Sequence, residues 1–361
     1  MTLVPSEFTA QSSAKAATVP ATGGVAILIP TLNEARHILG VINALAGSAE
    51  KLGAQIVVID GGSTDGTVDL VQAEAARRPG VILLHNPKRL QSAAINLAVE
   101  RFGDTLDWII RVDAHAGYPE DYCDVLLAEA QRTGADSVVV RMHAIGTGPL
   151  QTLIAAAQNS LFGNGGSAHR GAGEGRFVNH GHHALMRVAA FRAVGGYDES
   201  FSHNEDAELD QRLGQQGFRI WLTAATSMDY FPRDTLRGLA KQYFRFGRGR
   251  MATARKHLGS LHKRHAILIS LAPLLVLAAL SPLYPPLALP FGLWLAACLL
   301  AGVATALRAR SASIVLCGIP GAVMQMSWSL GFWTGLLGGS RTGGKRSGPG
   351  SRQGAMTGYG G

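Results

Sequence analysis

Between Val25 and Met142, short apolar runs alternate with stretches whose apolar residues recur at helical spacing. The runs "VAILIP", "QIVVID", "VILLHN", "WIIRVDA" and "SVVVRM" are almost continuously hydrophobic, which predicts strands buried on both faces. The intervening "EARHILGVINALAG", "DGTVDLVQAEAARR", "QSAAINLAVERF" and "PEDYCDVLLAEAQRTG" predict amphipathic helices, with Thr64 or Asp65 placed to cap the second. Such alternation predicts an α/β domain with a mostly parallel sheet covered on both sides. Ligands of these sheets bind beyond the carboxyl ends of the strands. The polar residues at those ends, Thr31, Asn33, Glu34, Asp60, His85, Asp113 and His115, are therefore expected on one rim.

After Arg141 the rhythm breaks. "GNGGSAHRGAGEGRFVNHGHH" has little periodicity and reads as a loop. Structure resumes over "ALMRVAAFRAVGGYDESF", and "NEDAELDQRLGQQGFRIWL" predicts a helix and a strand. A basic helix over "RDTLRGLAKQYFRFGRGRMATARKHLGS" then leads into two runs without a charged residue. A bilayer needs about 20 apolar helical residues to cross. The first run, Ala266 to Leu307, is long enough for two spans, residues 266–284 and 287–307, joined through "SPLYPP". The second, diluted by Gly, Pro, Gln and Ser, admits a span, a re-entrant segment or an interfacial helix over residues 313–338.

Basic clusters flank these runs, and positive residues favour the cytoplasmic side. A two-helix hairpin whose third segment does not cross keeps every cluster on that side. The expected organisation is a flexible tail over residues 1–24, a catalytic domain over 25–258, membrane-associated helices over 259–340 and a flexible basic tail over 341–361.

Composition sharpens this picture. The 361 residues carry a net charge of +8 and are 47% hydrophobic. Much of the positive excess lies beside the apolar runs, so anionic lipid headgroups are the expected partner and nucleic acid is not. The three cysteines show no CxxC pairing, and neither disulfides nor zinc follow from them. The N-terminus holds only Lys15 and no apolar stretch of signal-peptide type. A catalytic domain in the cytosol, held at the cytoplasmic (inner) membrane, is the expected location.

Four constellations carry candidate chemistry. Asp60, followed by Gly61-Gly62, lies where the backbone can approach a ligand closely, although the same residues suit a tight turn without function. Asp113-Ala114-His115 offers carboxylate and imidazole to a divalent ion such as Mn²⁺ or Mg²⁺; the plainer reading is a capping Asp beside an unrelated His. Glu205 and Asp206 begin a helix, where acidic residues ordinarily offset the macrodipole, but a carboxylate there can also take a hydroxyl proton. Gln242 and Arg245 share a helix face, and arginine recognises phosphate oxygens bidentately; an amphipathic basic helix at a membrane is compatible with that role.

Together these motifs are specific. With "ILIPTLNEA", "VIDGGSTDGT", "DAH" in place of DxD, "NEDAELDQRL" and "QYFRF" in order between Val25 and Arg250, the chain resembles the family 2 inverting glycosyltransferases. From "GRFVNHGHHAL" to "QYFRFG" it is similar to the glucosyltransferases of succinoglycan, a bacterial exopolysaccharide.

The resemblance implies a Rossmann-like nucleotide-diphospho-sugar transferase domain. Pro30, Thr31, Asn33 and Glu34 would line the nucleotide pocket, and Asp60 would bind the uracil. Asp113 would touch the donor or its metal, and His115 would replace the second DxD carboxylate. Asp206 would be the general base and Glu205 would support the acceptor. Gln242 and Arg245 would hold diphosphate or acceptor, with Phe246 where tryptophan is usual. His182 and His183 are further acceptor-pocket candidates.

The reaction implied is inverting transfer of a hexose, glucose first, from a UDP-sugar to a polyprenyl-diphosphate-linked saccharide, with a polysaccharide assembly complex as a further partner. Three rivals are a polyprenyl-phosphate sugar transferase, disfavoured by the "NED" and "QYFRF" motifs, a processive synthase, which would need more transmembrane helices to build a pore, and an inactive nucleotide-binding scaffold, disfavoured by the presence of Asp113 and Asp206.

Overall fold

The computed structural model describes residues 23–164, 174–201 and 203–338. Both expected tails, apart from residues 23 and 24, and residues 165–173 of the Gly- and His-rich stretch lie outside the described residues.

The chain begins β1 (Gly24–Thr31), α1 (Ile38–Leu52), β2 (Gln55–Asp60), α2 (Thr67–Arg77), β3 (Val81–His85), α3 (Gln91–Phe102), β4 (Leu106–Arg111), β5 (Ala116–Gly117), α4 (Tyr122–Thr133) and β6 (Ser137–Ala144). It continues α5 (Pro149–Asn159), α6 (Leu161–Asn164), β7 (Arg176–Val178), β8 (His182–Arg187), α7 (Val188–Ala193), α8 (Glu205–Gln215), β9 (Ile220–Tyr230) and α9 (Leu236–Lys256). The last helices are α10 (Lys263–Ala279), α11 (Leu289–Ala309) and α12 (Gly318–Leu337).

The sheet runs β3-β2-β1-β4-β8-β6-β9-β5, with β7 on β9. Strands β1 to β4 are parallel, as is β6 with β9. Strand β8 runs antiparallel between β4 and β6, which makes this mostly parallel sheet a mixed one. Period two on β1 explains the core. Val25, Ile27 and Ile29 pack on one face with Ile38, Ile42 and Leu45 of α1. Ala26 and Leu28 pack on the other with Ile95 of α3 and Leu209 of α8. Both faces are covered, so the strands read as unbroken apolar runs.

The first helix starts at Ile38, four residues later than its pattern predicts. Residues 33–35 are diverted because their backbone N–H groups donate to the side chains of Ser63, Thr67 and Asp65.

Helices long and apolar enough to cross a membrane span Pro285–Ala309 and Ala312–Leu337. The expected first span is shorter: α10 has 17 residues, contains Pro273 and ends at Ala279. The length criterion therefore selects the second and third segments rather than the first and second. Only about a tenth of the α11 window is buried but half of the α12 window is. Helix α12 packs along α9, where two glycines bring the backbones together: a Cβ at Gly247 would meet the carbonyl of Trp328, and one at Gly331 that of Phe244.

Candidate active site

The β1–α1 and β2–α2 loops are stitched into one unit. Asn33, in the left-handed region at φ 58°, receives the Thr64 N–H on its Oδ1 at 2.8 Å and donates its own N–H to Ser63 Oγ at 2.8 Å. Asp65 accepts from Ala35 N at 3.0 Å and from Thr67 N at 3.1 Å, so it fastens the start of α2 to the neighbouring loop. Asp60, paired with Thr31 in the sheet, accepts from Gly62 N at 2.7 Å, Ser63 N at 3.0 Å and Ser63 Oγ at 2.5 Å. Both of its oxygens thus fix the turn, in which Gly62 has φ 86° and an L side chain would be strained. Arg89 closes this unit by donating to the carbonyls of Gly61 at 2.9 Å and Gly62 at 3.1 Å.

One cavity of about 1250 Å³ opens beyond this rim. Of the residues expected at a site, Pro30, Thr31, Glu34, Asp113, His115, His182, Glu205, Asp206 and Gln242 line it. Asn33, Asp60, His183 and Arg245 do not; Arg89, Arg111 and Arg250 do.

Arg111 organises the centre. It ends β4, is 4% exposed, and its Nη1 donates to Asp206 Oδ1 at 2.5 Å and to the Tyr197 hydroxyl at 2.9 Å. Tyr197 in turn donates to the same Asp206 oxygen at 2.8 Å. Arg111 Nη2 lies 4.0 Å from Asp113 Oδ1, which accepts from Gln91 Nε2 at 3.0 Å. Burial opposes the guanidinium charge, yet Asp206 and Asp113 hold its pKa well above the usual value.

The carboxylates answer in kind. Burial would raise Asp206, but Arg111, His183 and His182 outweigh it and hold it well below the usual carboxylate range. Burial likewise opposes Asp113, and His182 and Arg111 bring it below its ordinary value. Glu205 moves the other way, raised by burial and by the charge of Asp206.

Helix α8 is anchored on three sides. Asn204, with φ 68°, enters the helix and donates from Nδ2 to Thr253 Oγ1 of α9 at 2.8 Å. Its buried Glu208 accepts from Arg212 and sits 2.7 Å from Lys256 and 3.0 Å from His257. One turn after Asp206, fully buried Asp210 lies 2.6 Å from His180 Nδ1 and 2.7 Å from His183 Nε2; the latter contact is a close ion pair without hydrogen-bond alignment. Burial disfavours a charged His183, but Asp210 overrides it and raises the imidazole.

His115 Nδ1 lies 2.8 Å from Glu34 Oε1, and His182 Nε2 lies 3.7 Å from Asp113 Oδ2. Among the described residues no group of three or more His, Cys, Asp or Glu is arranged to hold a metal by itself. Asp113 and His115 nevertheless suit an ion that draws its remaining ligands from phosphate oxygens and water, as Mg²⁺ sites commonly do. Glu34, in contact with His115, would orient that imidazole if it ligated such an ion.

Sequence reasoning missed Arg111, Tyr197, Gln91 and Arg89. An arginine inside the apolar run "WIIRVDA", two residues before Asp113, was the available signal for Arg111, since a buried guanidinium requires a carboxylate partner. Tyr197 lies in "GGYDESF", where nothing local marks its hydroxyl.

Comparison with known proteins gives the family and the fold. A family model described as "Glycosyl transferase family 2" matches residues 26–195. The chain is 50% identical over 311 residues, 86% of its length and 94% of the relative's, to "Succinoglycan biosynthesis protein ExoA" of Rhizobium meliloti (strain 1021). Over 247 residues, 64% of this chain and 74% of the relative, it is 24% identical to a Methanococcus voltae protein named "Dolichyl N-acetyl-alpha-D-glucosaminyl phosphate 3-beta-D-2,3-diacetamido-2,3-dideoxy-beta-D-glucuronosyltransferase". Among solved structures, the mannosyltransferase PcManGT of Pyrobaculum calidifontis, in complex with GDP-Man and Mn²⁺, shares the fold with a TM-score of 0.51 at 22% identity, covering 88% of each chain.

Proposed function

The chain belongs to glycosyl transferase family 2, and on that premise we propose that it moves a glucosyl residue from UDP-glucose to a polyprenyl-diphosphate-linked saccharide in assembly of a succinoglycan-type exopolysaccharide. The observation that carries this reading is the shared hold of Arg111 on Asp206 and Asp113 at the wall of one cavity. Identity to the Rhizobium protein over 94% of its length supports the pathway. The name of the Methanococcus relative, which specifies a dolichyl-linked sugar phosphate, supports a lipid-linked acceptor.

The mechanism is a single displacement. Oδ1 of Asp206 takes the hydrogen bonds of Arg111 and Tyr197, so Oδ2 is the oxygen that accepts the acceptor hydroxyl's proton. The freed oxygen forms its bond to the anomeric carbon as the bond to the diphosphate breaks, UDP departs with the electron pair, and an α-linked donor yields a β-glycoside. Pro30, Thr31 and Gly61 line the cavity and would take the nucleotide, and Asp113, on the same wall, would meet the diphosphate.

A divalent ion held by Asp113 and His115 would neutralise the departing charge. Gln242 donates its amide to the Tyr230 hydroxyl at 2.9 Å, while its buried Oε1 has no hydrogen-bond partner among the described residues. An acceptor oxygen suits a sugar hydroxyl and not a phosphate, which favours the acceptor saccharide as the partner of Gln242. Arg250, on the cavity wall where Arg245 is not, would meet the diphosphate of the acceptor lipid. Helix α11, whose side chains are largely exposed, would hold the enzyme at the inner membrane, with α12 packed against α9 of the catalytic domain on the cytosolic side.

The test is transfer from radiolabelled UDP-glucose to saccharide lipid by the purified membrane enzyme, followed by linkage analysis. A β-glucosylated saccharide lipid with equimolar UDP is expected. Glucose found directly on polyprenyl phosphate, or no UDP release from any donor, would sink the proposal.

A further inference from the structure

The catalytic cavity does not end at the catalytic domain. The same space lined by Asp113 and Asp206 is also lined by Leu268 of α10, Trp294 and Ala297 of α11, and Met324 and Trp328 of α12. Its wall therefore passes from carboxylates and arginines to an apolar, aromatic surface made by the C-terminal helices. At the transition lie Arg250 and Gln242 of α9 and His265, whose ring stacks on Trp328 at 5.9 Å and 15°.

Gln325 pins this wall together. Its Oε1 accepts from Trp294 Nε1 at 2.9 Å, and its Nε2 donates to the Phe162 carbonyl at 3.1 Å. That amide joins α11 and α12 to α6 of the catalytic domain. The outward side of α11 is different: Leu293, Leu300 and Leu307 are each more than half exposed, as bilayer-facing residues are.

We propose that the apolar end of the cavity seats the first isoprene units of the acceptor's own polyprenyl chain, so that the enzyme binds the lipid and not only the saccharide. The inference rests on the glycosyltransferase reading above and adds the lipid subsite to it. Continuity with the catalytic cleft favours this occupant. A chain entering between α10, α11 and α12 carries its diphosphate toward Arg250, and the saccharide beyond reaches Asp206. Charge matches along the path: apolar helices meet hydrocarbon, cationic residues meet the diphosphate, and carboxylates meet the hydroxyl. A phospholipid acyl chain would satisfy only the apolar part.

Two measurements test it on the full-length enzyme in nanodiscs. In the first, a polyprenyl-diphosphate saccharide with a photoreactive group on its second isoprene unit is illuminated on the unaltered enzyme. Labelling of peptides containing Trp294 or Trp328, prevented by unlabelled polyprenyl acceptor and not by excess phosphatidylglycerol, is expected. Labelling elsewhere, or equal protection by phospholipid, overturns the proposal whether or not transfer occurs.

In the second, Ala297→Trp narrows the apolar end. The enzyme's preference in kcat/KM for a long-chain acceptor over a two-isoprene acceptor should fall at least about tenfold, what the loss of roughly two buried methylenes is worth. An unchanged preference overturns the lipid seat while leaving the transferase reading intact. Failure of the unaltered enzyme to glucosylate either acceptor instead removes the transferase reading, and the seat falls with it.

Discussion

Arg111 Nη1 and Asp206 Oδ1, ninety-five residues apart in the chain, lie 2.5 Å from each other at the floor of the cavity. One cation thus fixes the orientation of the proposed base and, with Tyr197, occupies one of its two oxygens. Truncating Arg111 to Met should destabilise the fold by about 3–5 kcal/mol, the usual penalty for orphaning one member of a buried pair. The surviving enzyme should also gain an acid limb in kcat. The native pair keeps Asp206 ionised far into acid, and without Arg111 its pKa rises, so transfer declines as the pH falls toward that higher value. Thermal melts and pH–rate profiles of both proteins check the two claims; an unshifted acid limb would separate Asp206 from proton transfer.

Asp206→Asn removes the proposed base while keeping shape and a partner for Arg111. Its kcat should fall by ~10²–10⁴-fold with UDP affinity preserved. Glu205→Gln should instead act mainly on the KM for the saccharide lipid. The raised pKa of Glu205 makes it the natural rival, so the two variants belong in one experiment. Exchange of their phenotypes would transfer the base role to Glu205.

Chelation should stop transfer, and Mn²⁺ or Mg²⁺ should restore it. Glu34 touches His115 at 2.8 Å, and Glu34→Gln should weaken metal activation by roughly 10–100-fold, the range found when an outer-shell partner of a ligating histidine is lost. Titrating activity against Mn²⁺ after chelation gives the answer; full activity in chelator would exclude an essential ion at Asp113 and His115.

His183 and Asp210 give stability its own pH dependence. The folded pKa of His183 is raised, so its contribution is complete below the unfolded value of about 6.5 and is lost as pH rises through the folded value. Melting temperature should therefore decline as the pH rises above about 6.5. Asp210→Asn should lower it throughout and flatten that decline, as differential scanning in detergent would show.

Gly331→Ala forces a methyl against the Phe244 carbonyl, where backbone must give way. A loss of about 1–3 kcal/mol is expected, as for overpacked cores generally. Leu336→Ala, near the end of the same helix on a partly exposed side chain, serves as the control and should be close to neutral in the same melt.

Much of the architecture could be read from the order of residues because burial on both faces leaves a local trace. The strand "QIVVID" and the helix "QSAAINLAVERF" occur at the residues their patterns mark. The antiparallel insertion of β8 left no such trace, since pairing direction is set by topology and not by the composition of a strand. The motif loops were legible as a rim, but their division of labour was not. Asn33 reaches across to the β2–α2 turn and Asp60 folds back on its own turn, neither lining the cavity, which depends on how two loops about 30 residues apart in the chain meet. Arg245 and Arg250 both lie on α9, and only helix phase against a packed neighbour decides which of them reaches the cavity.

The close approach of α9 to α12 bears on how this enzyme can be handled. Removing everything beyond residue 258 would strip one side from the cavity and bare the glycine-lined seam where the two helices meet. A water-soluble fragment obtained that way would keep its nucleotide pocket yet lose the surface that receives the second substrate. UDP binding without glucosyl transfer is the behaviour to expect from it.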